Sequence, residues 1–291
     1  MKSKKIKTIV ITAVAGCMLL SITVAASASS GSGYDTYKSA VKDLMSTSNA
    51  TFSTTFEVKD NGNANISGTS VEKLEDANMS SVTDIKNGDA ATETETSRID
   101  GKTIIKNGDN YYSRDSKGNG KNDKMEKKFD SSSSKAKLEE MVLDTLVGDV
   151  KNQFVVDGDT ISVNLEGTQI PELAKLAISA AVEERNNKKD YNNKGGTGND
   201  GFKEALNSIP NLKNVDIKSL SMTAKVDGNT LTENDVKAVI SGEDENGVSH
   251  EFEVSVDTAV SAVNSTKADS IDTTGKQVQT LADKFTQHKT K

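Results

Sequence analysis

The polar run from Asp115 to Glu126 holds the residues of this chain with the most chemistry in their spacing, because it sets oxygen ligands at the intervals of a calcium loop. Asp115, Asn119, Asp123 and Glu126 fall at positions 1, 5, 9 and 12 of a twelve-residue EF-hand loop, with Gly120 at position 6, where such a loop turns sharply. Lys117 occupies position 3, where a carboxylate or amide ligand belongs, and Asn122 replaces the apolar anchor at position 8. The flanks read as strands, so the same residues also fit a polar hairpin turn that needs no cofactor. Calcium is the one cofactor the sequence admits, and both readings stay open.

Other constellations are thinner. His250 sits on the apolar side of an alternating segment and His288 lies near the C-terminus, and neither falls into a catalytic order with a nucleophile and a carboxylate. A single histidine in a strand is expected to be a packed or rim residue. Glu139-Glu140, Glu183-Glu184 and Glu243-Asp244-Glu245 could supply acid/base carboxylates, but they also read as solvated faces and turns. Gly195-Gly196-Thr197-Gly198 has neither a following Lys-Ser/Thr nor a preceding apolar strand, so it is not a phosphate cradle. No enzyme class is indicated.

Composition narrows the partners. Lys2, Lys4, Lys5 and Lys7 lead into an apolar stretch from Thr8 to Val24 and then Ala26-Ser27-Ala28, the pattern of a secretory signal cleaved after Ala28. Two alternatives stand beside cleavage: lipidation at Cys17, after Val14-Ala15-Gly16, and retention of the apolar stretch as a membrane anchor. Loss of residues 1–28 removes four lysines and no acid, leaving 32 basic against 43 acidic residues and a charge of −11. Such a surface repels nucleic acid and anionic headgroups, so no nucleic-acid partner is expected. Cys17 is the only cysteine, which leaves the secreted part without disulfides or thiolate ligands. With no Trp and 4% aromatic residues, a sugar-stacking surface is disfavoured as well.

The elements that must position these residues are mainly strands. After a short Ser/Gly tether at 29–33, Tyr34, Tyr37, Val41 and Leu44 share one helical face. Phe52, Thr54, Phe56 and Val58 then alternate with polar residues, and Asp60-Asn61-Gly62 turns the chain. Turn signals at Asn87-Gly88, Asp100-Gly101 and Asn107-Gly108 divide further short strands into an antiparallel meander, and Tyr111-Tyr112 opens another. Helices are expected over Leu138 to Val147 and from Pro171 through Ala181, with a hairpin at Asp157-Gly158 between them. Residues 186–201 are nearly all Asn, Lys, Gly and Asp and are expected to be a flexible insertion. Three long alternating strands follow, centred on Met222, Ala238 and Val254, and residues 266–291 read as a loosely ordered tail.

This order of elements, the tyrosines of Gly33-Tyr34-Asp35-Thr36-Tyr37-Lys38 and the closing hairpins resemble the lipoprotein-carrier superfamily, the LolA/LppX-like half-barrels, and envelope proteins of spore-forming, single-membrane bacteria. The resemblance spans most of residues 34–265 and lies in element order. It implies an α+β fold in which a curved antiparallel sheet, a half-barrel, has helices packed on its concave face. It also implies space for lipid acyl chains; read from the two expected helices themselves, Leu138, Met141, Leu173, Ala177 and Ala181 would either complete the core or line such a cavity. In an organism without an outer membrane such a fold need not bring the carrier role. The expected function is a non-enzymatic extracytoplasmic envelope protein that binds an apolar small molecule or lipid, or an envelope protein partner. The alternative is an assembly protein with no ligand cavity. A contiguous apolar cavity distinguishes the first, an exposed apolar patch the second, and clustered carboxylates with shifted pKa values an undetected hydrolase.

Overall fold

The structure is a computed structural model that describes residues 33–115, 148–172, 175–176 and 210–281. The alternating segments of the sequence become strands: β1 (Asn49–Asp60), β2 (Asn63–Glu75), β3 (Asn78–Asn87), β4 (Ala90–Ile99), β5 (Lys102–Asn107) and β6 (Asn110–Asp115), then β7 (Val155–Asp157) and β8 (Thr160–Glu166). The long strands β9 (Lys213–Asp227), β10 (Thr230–Glu243) and β11 (Ser249–Ser261) follow, and β12 (Val278–Thr280) ends the series. All twelve form one sheet in the order β12-β6-β5-β4-β3-β2-β1-β11-β10-β9-β8-β7. The first six strands step outward from β1, and the later ones return so that β11 pairs with β1 at the centre. Every pairing is antiparallel except β12 on β6, which is parallel.

The turns obey local chemistry. Asn61, Asp76 and Asp100 adopt positive φ at their turns, as do Gly62, Gly88, Gly101, Gly108, Gly158, Gly228 and Gly247. Asn, Asp and Gly tolerate that region at little cost, and the tight connections follow from it.

One complete α-helix is described, α1 (Gly33–Ser46). Tyr34, Tyr37, Ala40, Val41 and Leu44 make its buried stripe, at the three- and four-residue steps of a helix face. The stripe lies on β8, β9 and β10, where Tyr37, Ala40, Val41 and Leu44 join Ile161, Val163, Ile217, Met222, Ala224 and Val236 in the apolar core. Phe154 packs edge-on against Tyr34 with ring centroids 5.3 Å apart. At the C-terminal end the hydroxyls of Ser46 and Thr47 both donate to the carbonyl of Asp43.

The expected fold class is therefore corrected. Among the described residues the protein is a sheet-dominated fold of twelve strands with one complete α-helix, which replaces the expected half-barrel with several helices packed on a concave face. Residues 33–115 run helix then six consecutive strands joined by tight turns, which leaves helical packing there to α1 alone. The physical reason lies on the inner face, the one that carries α1. Beneath α1, on β8 to β10, this face is apolar at Ile161, Val163, Ala224 and Val236, whereas on β1 to β4 the apolar Phe52, Phe56, Ile66 and Ile85 are interrupted by a central row of Thr54, Ser70, Thr83 and Thr94, a less continuous surface for helices to cover. The expected ligand-lining residues Leu138, Met141, Leu173, Ala177 and Ala181 lie outside the described residues, as does 186–201.

Residues 266–281 depart from the loose tail expected of them. They run along the outer face of the sheet, where Thr266 is gripped through both polar backbone groups by the Asn49 side chain at 2.8 and 3.1 Å. The backbone of Asp269 then donates to Ser80 Oγ and accepts from Ser97 Oγ, both at 2.9 Å. Lys73 pairs with the Asp269 carboxylate at 2.7 Å. Farther on, Lys276 sits over the Tyr111 ring and β12 adds to the sheet edge. Ser80 and Ser97 look like ordinary exposed strand positions in the sequence, and only the register reveals them as a matched pair of anchors.

Candidate functional site

Strand register fixes two polar rows across the middle of the sheet, one per face. The inner row runs Asn234, Thr258, Thr54, Ser70, Thr83, Thr94, each residue directly opposite the next on the neighbouring strand. All six are buried. Buried hydroxyls need partners, and here they find each other: Thr54 and Thr258 at 3.2 Å, Ser70 and Thr83 at 2.9 Å. Tyr37 of α1 caps the row by donating its hydroxyl to Asn234 Oδ1 at 2.9 Å. Farther along the same face, burial pushes the Glu72 carboxyl up, partly offset by the Arg98 guanidinium. Burial likewise pulls Arg98 down, and its Nε donates to the Ala77 carbonyl at 3.2 Å.

The outer row runs Thr223, Asp235, Asp257, Thr55, Thr69, Asp84. Its centre forms the floor of a groove of about 430 Å³ lined by Ser53, Thr55, Thr69, Val71, Glu233, Asp235, Asp257 and Ala259. Asp235 and Asp257 are directly opposed on adjacent strands, an arrangement of like charges that destabilises a sheet. Desolvation raises the Asp235 carboxyl above its ordinary range, and the charges of Asp257 and Glu233 raise it further. Lys237 and Lys225 offset this in part. Lys225 is itself held by Glu233 at 2.8 Å. Ser53, Thr55 and Thr69 continue the lining beside the acids on β1 and β2, and Val71, 38% exposed, lies next to Val82, 39% exposed, on β3.

Chemically, this is an open surface with excess negative charge, short hydroxyl side chains and an apolar rim. It suits a cationic group approaching from solvent: an ammonium or guanidinium would relieve the repulsion between the two aspartates while its methylenes rest on Val71. Among the described residues no group of three or more His, Cys, Asp or Glu side chains is arranged to hold a metal ion.

The sequence-predicted sites are placed as follows. Asp115 ends β6, while Asn119, Asp123 and Glu126 lie outside the described residues. His250 is on the inner face near the start of β11, with Nδ1 2.9 Å from Asp60 and its ring stacked on Phe252. Of the acid pairs, Glu243-Asp244-Glu245 forms the end of β10 and the turn after it, and Glu139-Glu140 and Glu183-Glu184 lie outside the described residues. The groove carboxylates were missed. The available signal was compositional: Asp is depleted from strand interiors, yet Asp235 and Asp257 stand inside two long strands.

No family model matches the chain, and no curated protein matches it.

Proposed function

We propose that the chain is a non-enzymatic, extracytoplasmic envelope protein that holds a basic segment of a partner protein in the groove on the outer face of its sheet. The observation that carries this reading is the opposed pair Asp235 and Asp257 with Glu233 beside them, a charge concentration that costs the fold stability and gains nothing from the core. The leader at residues 1–28 supports an extracytoplasmic location, with cleavage after Ala28 preferred to lipidation at Cys17. Lipid carriage ranks below this reading, because the side chains expected to line its cavity, Leu138, Met141, Leu173, Ala177 and Ala181, lie outside the described residues.

One observation favours a second reading. Two opposed carboxylates, one raised, could act as acid and base in a hydrolase. The groove lining has no aromatic ring against which a sugar would stack, and its polar side chains other than the acids are short hydroxyls, so binding remains the preferred reading.

Calorimetric titration with a hexalysine peptide separates the possibilities. Binding that weakens at least about tenfold in the Asp235→Asn/Asp257→Asn double variant, roughly 1.4 kcal/mol, and weakens with added salt, supports the groove. The control is Asp157→Asn/Asp159→Asn, which removes two exposed acids at the β7–β8 turn, outside the groove. Equal weakening in that control would reduce the effect to net charge and refute the proposed site. Polysaccharide cleavage lost in the double variant would establish the hydrolase instead.

A further inference from the structure

We propose that His250 is a pH-dependent latch: as the imidazolium it bridges Asp60 and Asp244 and fastens the tip of the β10–β11 hairpin to the β1–β2 turn. Asp60 closes β1, His250 follows the first residue of β11, and Asp244 begins the hairpin turn, so three separate stretches of chain meet at this ring. Nδ1 lies 2.9 and 3.0 Å from the two Asp60 oxygens, while Nε2 is 3.9 Å from Asp244 Oδ2. Stacking on Phe252, nearly parallel at 9°, fixes the plane of the ring.

The argument turns on donors and acceptors. A neutral imidazole has one N–H and one lone pair. If Nδ1 carries the proton, the Nε2 lone pair faces the Asp244 carboxylate; if Nε2 carries it, the Nδ1 lone pair faces Asp60. Either way two acceptors meet with no proton between them, and Nε2 is buried without a hydrogen-bond partner. Only the imidazolium gives each carboxylate a donor, with a small approach at Nε2 completing a charge-assisted bond. Asp244 is ready to receive it. Backbone donation from Val248, and from the Asn246 backbone and side chain, holds its carboxyl below the ordinary range, so it remains an anion. Gly242, opposite His250 on β10, brings no charge, Glu243 and Glu251 occupy outer-face positions, and Glu245 is engaged by Asn211. Among the described residues the ion-pair contacts of the ring are thus Asp60 and Asp244.

Beside the latch, Asn61 makes bonds indifferent to pH: its N–H donates to the Glu251 carbonyl, and its side chain accepts from the Glu251 N–H. The imidazolium contact therefore adds to a standing connection, and its loss loosens the tip without unpairing β1 from β11.

Amide hydrogen exchange of the purified protein, corrected for intrinsic pH dependence, tests this. Protection at residues 244–250 is expected to be about tenfold higher at pH 5 than at pH 9. Asp244→Asn should remove most of that step, since the amide oxygen still accepts from Asn246 and Val248 and preserves the turn. If that variant disrupts the hairpin, His250→Gln carries the test and should be flat across the same interval. A wild type without the step, or a step that persists in His250→Gln, overturns the proposal.

Discussion

Asp235 and Asp257 are the residues that the fold tolerates at a cost, and substitution should reveal that cost. Asp257→Asn removes the charge facing Asp235 and is expected to stabilise the protein by about 0.2–1 kcal/mol in chemical denaturation, a small gain because the pair is solvent-screened. On the opposite face the expectation reverses. Tyr37→Phe leaves Asn234 Oδ1 without its buried donor and should destabilise by about 1–3 kcal/mol. Glu72 provides a pH test. Because burial raises its folded pKa above the unfolded value, the folded state holds this proton more tightly, and that advantage is lost as pH rises through the folded pKa. The stability difference in favour of Glu72→Gln should therefore widen from pH 4 to pH 7; a constant difference would refute the assignment. None of these partnerships was legible in the chain. Each is a cross-strand or helix-to-strand meeting, and a one-residue slip of register would reverse the faces involved.

At the scale of elements, local chemistry was readable and long-range placement was not. The stripe of α1, the Asn/Asp/Gly turns and the alternation of β9 to β11 follow from spacing alone, and each appears where the sequence puts it. The expectation of several helices on a concave face erred because apolar content at helical spacing says nothing of what surface the sheet offers, and the inner face of β1 to β4 is hydroxylic at its centre. Gly68 shows the limit from another side. It reads as a weak spot in β2, yet Phe56 on β1 lies across it, and a Cβ there would approach the Asp84 carbonyl to 2.3 Å and the Phe56 ring to 2.7 Å. Gly68→Ala should cost about 1–3 kcal/mol through overpacking, measured as a shifted denaturation midpoint. A neutral result would mean that β2 and β3 can part without loss.

At the scale of the molecule, the single sheet that the twelve described strands form serves two purposes on two faces. Its inner face supplies the apolar core beneath α1, and its outer face divides between the segment 266–281 and the acidic groove. Deleting residues 267–291 removes the Ser80 and Ser97 bonds, the Glu75 contacts and β12, and should destabilise by about 2–4 kcal/mol, taking roughly 1 kcal/mol for each lost bond. The groove lies outside that segment and should keep its shape. The most direct test of the central claim is an amide chemical-shift map of the protein titrated with hexalysine peptide. Perturbations concentrated at Ser53, Thr55, Thr69, Asp235 and Asp257, and absent from the Asp235→Asn/Asp257→Asn variant, are the predicted result. Shifts spread over the acidic surface at large, or centred elsewhere on the sheet, would contradict it.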